Sequence, residues 1–469
     1  MIWNSAGALA GLAATWLTGY FLIRRLLGLP GWGGVALGWL LGSGLTSLAV
    51  FFIYLCGGTL LPWLPVVQGV LLAAVLVLHH RGCVGVESAE AVLKPARTWR
   101  PGAILMILLL AFLLGAAGIK AITTPALRFD EVHNWGFKSL STAVHGRPFQ
   151  GEWPFMLFPN LMPFLTASFL VYQGDPRETI AHMIPFLFLV AAAGALYAGA
   201  QRLSGKAWWG LPMTILLLFG APELMVQSDR FCADLPLTAL HLASVVAGLI
   251  WLTGGPAAAA ALSGVFAGLG AWTKTEGILL AAGVGLGLLL AAMLRPKEER
   301  RPWLHAALLW MAGFALVAGP WSLYLKFRGV DMQSSGHLSG EFNPERWGRL
   351  FVHIRTVLLR HFRIPLLAFF LFLALGFRRR TRAVYVFLLV TLVLGWVHLW
   401  LPILLMPGDA FGGWIAFMKS GMTRYVLHIA PVMLLSLAAV ARADRLKGLD
   451  ALFRRLNGGR VPGNVRAPD

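Results

Sequence analysis

Apolar residues run through this chain in long blocks, broken by short clusters rich in arginine, glycine and proline. The blocks lie near 6–23, 33–55, 61–78, 102–122, 179–200, 208–224, 235–253, 257–272, 277–294, 303–325, 363–377, 383–405 and 423–441. Each approaches the length a helix needs to cross a hydrocarbon core of ~30 Å. Unsatisfied backbone is too costly in lipid for irregular spans, so the pattern predicts an all-α polytopic transmembrane helical bundle with about thirteen spans.

Two segments between the fourth and fifth blocks break the rhythm. After Asp130 and Glu131, the apolar Val132, Trp135, Gly136, Leu140, Ala143 and Val144 recur at three- and four-residue intervals, with Asn134, Lys138 and Ser141 on the opposite stripe. That spacing predicts an amphipathic helix lying along the membrane surface. The second segment, "FPNLMPFLTASFLVYQG" at 158–174, is too short and too proline-interrupted for a span.

Composition agrees. Of 469 residues 58% are hydrophobic and 13% charged, against about 25% charged in soluble domains. Net charge is +19, but the basic residues flank spans instead of forming one stripe, so nucleic acid is excluded as a partner. Basic clusters follow alternate blocks at Arg24/Arg25, Arg81–Arg100, Arg202/Lys206, Arg295–Arg301, Arg378–Arg382 and from Arg442 onward. By the positive-inside rule the N-terminus lies outside and the C-terminus in the cytoplasm, in a membrane expected to be the bacterial inner membrane. No Lys or Arg precedes Arg24, so the first block is expected to be a retained helix and not a signal peptide. Cys56, Cys83 and Cys232 lack metal-ligand spacing. Gly283, Gly285 and Gly287, and the pair Gly264/Gly268, lie within apolar blocks and read as helix-packing positions. No Walker sequence appears.

Six stretches then appear in order: "RFDEVHNWGFKSLSTAVHG", "GDPRETIAHMIPFLFLVAAAGALYAGAQRLSG", "SDRFCADLPLTAL", "GLGAWTKTEGILL", "GPWSLYLKFRG" and "TRYVLHIAP". Together they resemble the GT-C superfamily of membrane glycosyltransferases, nearest the protein O-mannosyltransferase, aminoarabinose transferase and Rgt-like branches. The likeness covers roughly residues 102–441. It implies a GT-C-like catalytic module over 101–441, preceded at 1–100 by three additional helices and a basic cytoplasmic loop, and followed at 442–469 by a basic cytoplasmic tail. It also implies inverting transfer of a sugar from a polyprenyl-phosphate donor to a lipid, glycan or protein hydroxyl at the outer face.

On that resemblance Asp130 is the catalytic base and Glu131 orients the acceptor or replaces it. A single base opposite the leaving group predicts inversion, by analogy with glycosidases. Arg424 and Lys274 are the candidate donor-phosphate cations, and Asp234, His133 and Lys138 the candidate substrate-binding residues. No cofactor is assigned; a divalent cation, if bound, would be Mg²⁺ or Mn²⁺ held by Asp130, Glu131 and His133. Plainer roles compete. Asp130 and Glu131 suit a solvated helix N-terminus, Asp234 an N-cap before Pro236, and Lys274 a salt bridge to Glu276. His398 suits a packed helix position with one hydrogen bond. Arg355, Arg360 and Arg363 form a basic run suited to anionic lipid headgroups. The rival functions are a transporter or flippase of lipid-linked saccharide and an enzyme like O-antigen ligase or polymerase.

Overall fold

The computed structural model describes residues 2–81, 101–124, 135–145, 161–174, 182–205, 207–294, 300–328, 343–377, 382–405 and 414–442. Within them the chain is helical and contains no strand. The first helices are α1 (Ile2–Leu27), α2 (Gly31–Leu55), α3 (Leu60–His80), α4 (Pro101–Thr123), α5 (Phe137–His145) and α6 (Leu161–Gln173). The middle of the chain forms α7 (Met183–Ser204), α8 (Gly210–Gly220), α9 (Glu223–Gln227), α10 (Asp234–Leu252), α11 (Ala257–Thr273), α12 (Gly277–Met293) and α13 (Arg300–Phe327). The last are α14 (Trp347–His361), α15 (Arg363–Leu375), α16 (Arg382–Leu405) and α17 (Trp414–Arg442).

All thirteen apolar blocks contain a helix, but nine described helices are long and apolar enough to span alone. The count reaches ten if α14 and α15, bent by 104° at Phe362, form one broken span. The other shortfalls are α8, with 11 residues, and α11 and α12, with 17 each. At 1.5 Å per residue these reach about 16 and 25 Å, short of the ~30 Å core. Hydropathy hides such breaks because the capping residues, such as Ala221 and Pro222 after α8, are themselves apolar.

The centre of the bundle is α10, almost wholly buried and packed on α7, α11 and α17. Small residues allow the closest approaches: a Cβ on Gly264 would lie 1.9 Å from the Trp310 carbonyl oxygen, so α11 and α13 touch through backbone. Gly283 and Gly287 similarly admit α16 against α12. The first three helices share this core. Trp272 Nε1 donates to Ser47 Oγ at 2.8 Å, and Gln68 Nε2 donates to Thr15 and Thr46 while its Oε1 accepts from Tyr172 of α6.

Contacts sort helix ends into two sets that follow the chain's alternation. One includes Tyr54 with Tyr324 and Arg328, Lys120 with Asp229, Asp234 with Lys274 and Arg424, and Asn343 with Leu404. The other includes Phe21 with His79, Arg202 with Thr253, and Trp251 with Trp303. The arginine clusters that follow alternate blocks adjoin the second set.

The surface-helix reading needs correction at α5. A helix forms there, but Lys138, Ser139 and Thr142 are buried while Phe137 and Val144 are exposed. Of the predicted polar stripe Lys138 is buried, but Trp135 and Gly136 of the apolar stripe are buried with it while Val144 is exposed, so α5 does not divide cleanly into a polar and an apolar face. A charge near lipid is held against protein, as Lys138 is here. By contrast, α6 is a buried 13-residue helix within the bundle, in keeping with a segment too short to span.

Candidate functional site

Four segments meet near the first set of ends: the start of α10, the turn between α11 and α12, the C-terminal half of α16 and the middle of α17. Each delivers a polar side chain. Helix α11 stops at Thr273 because Lys274 is extended (φ −158°, ψ 143°), and α12 restarts at Gly277. The three-residue junction therefore projects Lys274 and Glu276 toward α10 and α17. Asp234 is not a side-chain cap: Ala233 occupies the N-cap position, and Asp234 is the first residue of α10, where the helix dipole favours its charge.

Lys274 Nζ lies 3.0 Å from Asp234 Oδ1 and 3.1 Å from Glu276 Oε1. Arg424 Nε is 3.5 Å from Asp234 Oδ2, and His428, one turn along α17, puts Nε2 3.4 Å from Asp234 Oδ1. Tyr425 donates its hydroxyl to Glu276 Oε1 at 3.0 Å. Behind them His398 Nε2 and His428 Nδ1 are 3.1 Å apart. Asp234 can only accept, so a neutral His428 directs Nε2–H toward it and receives a bond from His398 Nε2–H. His241, two turns along α10, is also buried.

Two carboxylates and two cations thus balance formally. Burial works against charge on Lys274, yet Asp234 and Glu276 outweigh it and raise its pKa above the usual lysine value. Burial likewise opposes ionisation of Glu276, but Lys274 and a backbone hydrogen bond bring its pKa down to about 2. Lys274 is committed to two carboxylates, whereas Arg424 has 27% of its side chain exposed. Arg424 is therefore the cation of this group better placed to meet an outside anion.

The structure joins Asp234, Lys274 and Arg424 and realises the Lys274–Glu276 salt bridge. His398 takes its one hydrogen bond from a packed position. Lys138 lies on α5, and burial brings its pKa down to about 7. Its ammonium lies 6.0 Å from the Trp135 ring centroid. Asp130, Glu131 and His133 lie outside the described residues. Among the described residues no group of three His, Cys, Asp or Glu is arranged to hold a metal ion. Sequence reasoning missed Tyr425, His428 and His241. The available signal was the one-turn spacing of Arg424 and His428 and the two-turn spacing of Asp234 and His241, which place each pair on one helix face.

No family model matches the chain, nor does any curated protein or solved structure. Fold and composition define an integral membrane protein built as an all-α polytopic bundle. A buried ionic cluster joins four of its segments at one end.

Proposed function

We propose that this protein is an inverting GT-C-type glycosyltransferase that moves a sugar from a polyprenyl-phosphate donor to a hydroxyl of a lipid, glycan or protein acceptor. The reading counts α8, α11, α12 and α15 among thirteen spans and puts the ionic cluster outside, away from the arginine-rich ends. The observation that carries it is the convergence of Asp234, Lys274 and Arg424. All three come from separate stretches that resemble the family in sequence.

In this mechanism the acceptor hydroxyl gives its proton to Asp130 and attacks the anomeric carbon, while the bond to the donor phosphate breaks on the opposite face. Glu131 orients the acceptor. Arg424 accompanies the departing phosphate, whose negative charge grows as the bond breaks. Lys274, already held by two carboxylates, fixes Asp234 and so the angle of Arg424. Transfer needs no oxidant or nucleotide at this face.

A second reading, proton-coupled transport of a lipid-linked saccharide, draws on the buried His241, His398 and His428 behind Asp234. Ionisable residues within a bundle often form proton relays. Mass spectrometry of envelope glycolipids and glycoproteins separates the two when cells lacking the gene are compared with cells carrying wild type or Arg424→Ala. Loss of one sugar modification with its donor accumulating supports transfer. Unmodified glycans trapped on the cytoplasmic side support transport and overturn transfer.

A further inference from the structure

Helix α14 is pinned at one end of the bundle. Arg346, just before it, donates to the Ile403 carbonyl at 2.9 Å, and the Trp347 and Trp400 rings meet edge to face at 4.9 Å. His353 hydrogen-bonds the Met418 backbone. Leu350, Ile354, Val357 and Leu358 form the buried face. The 104° bend at Phe362 then turns the chain from α14 into the apolar α15.

The rest of α14 divides into two sectors when its residues are placed at 100° per position. One exposes Trp347, Phe351, Val352 and Leu359, with Phe351 63% accessible. The other exposes Arg349, Thr356 and Arg360. Arg355 emerges within the apolar sector, where a long side chain can lie along hydrocarbon and lift its guanidinium to the polar boundary. A helix with one face on protein, one apolar face open and one cationic face open matches the boundary between acyl chains and headgroups. Between residues 346 and 408 the sequence contains no Asp or Glu, so the cationic face is not neutralised by its own segment. Among the described residues, no carboxylate forms a salt bridge with Arg349, Arg355 or Arg360.

We infer that α14 is a docking surface for acidic phospholipid, with Arg349, Arg355 and Arg360 taking headgroup phosphates while Phe351, Val352 and Leu359 enter the acyl region. The charge complementarity is specific in sign: guanidinium groups pair with phosphate oxygens in a forked geometry. The docking is independent of the proposed glycosyl transfer. Because α14 packs on α17, the bound lipid would border the helix that carries Arg424.

The test uses the full chain in nanodiscs containing equal amounts of phosphatidylcholine and phosphatidylglycerol, with native mass spectrometry counting lipids retained on release. Wild type should retain phosphatidylglycerol in excess. In R349Q/R355Q/R360Q that excess should fall at least about fivefold, the contribution expected of even one basic residue at an anionic surface. R349K/R355K/R360K should keep it. Equal retention by wild type, or an unchanged excess in the glutamine variant, overturns the inference. Should the glutamine variant fail to fold, a salt titration of wild type decides. Excess that weakens with salt supports docking at α14 when R355Q alone also lowers it, and excess indifferent to both overturns it.

Discussion

Lys274 Nζ sits 3.0 Å from Asp234 Oδ1, across forty residues of sequence, in a site where both side chains are buried. Such a pair holds helices in register because either charge alone would be stranded in a poor solvent. Asp234→Asn or Lys274→Met should each destabilise the protein by about 3–5 kcal/mol, and the double variant should lose less than the sum of the two. Thermal unfolding in one detergent provides the cycle. Simple additivity would mean that the pair does not act as a unit.

The pH dependence follows from Glu276 and Lys274. Glu276 ionises near 2, below its ordinary 4.5, so its contribution is present above about pH 4.5 and is lost as pH falls through 2. Lys274 titrates above its ordinary 10.5, so its contribution is present below that value and disappears as pH rises through the folded value. Melting temperature should therefore be flat between these limits as far as this pair is concerned. The gap between wild type and Glu276→Gln, about 3 kcal/mol at neutral pH, should close toward pH 2. A gap independent of pH would remove ionised Glu276 from the account.

Gly264 tests the backbone contact between α11 and α13. An alanine Cβ would meet the Trp310 carbonyl oxygen at 1.9 Å, so Gly264→Ala must push the helices apart. Overpacking of this kind costs about 1–3 kcal/mol. Unchanged melting would show that the helices do not approach so closely. Gly319, where an added Cβ meets nothing within 4 Å, is the control.

Much of this fold was legible because a span needs apolar length and little else, and all thirteen blocks contain helices. Exact helix ends were not, since apolar residues such as Ala221 and Pro222 break a helix without changing hydropathy. Asp234, Lys274 and Arg424 were legible as polar residues near the ends of apolar blocks. Their distances were not, because those depend on how α10 and α17 rotate about their axes. The same reason hid the contact between His398 and His428, thirty residues apart on neighbouring helices. The burial of Lys138 beside Trp135 was not legible either, because the packing of α5 on α6 decides which of its residues face protein.

Orientation is open to direct labelling. With native cysteines replaced, single cysteines at 130 and 424 should react with an impermeant reagent from outside, and those at 81, 298 and 379 only after permeabilisation. Labelling of position 130 from the cytoplasmic side alone would place the proposed base on the wrong face for a lipid-linked donor.

Glycosyl transfer itself is measured as turnover in a reconstituted system. The purified protein in lipid vesicles, given polyprenyl-phosphate sugars and hydroxyl acceptors, should release polyprenyl phosphate and form an inverted glycoside. Asp130→Asn should lower turnover at least ~10²-fold while leaving donor affinity largely intact, and Arg424→Ala should chiefly weaken donor affinity. Near-normal turnover in Asp130→Asn with an inactive Glu131→Gln would move the base by one residue. No transfer by wild type from any donor, together with saccharide movement across the vesicle membrane, would contradict the account.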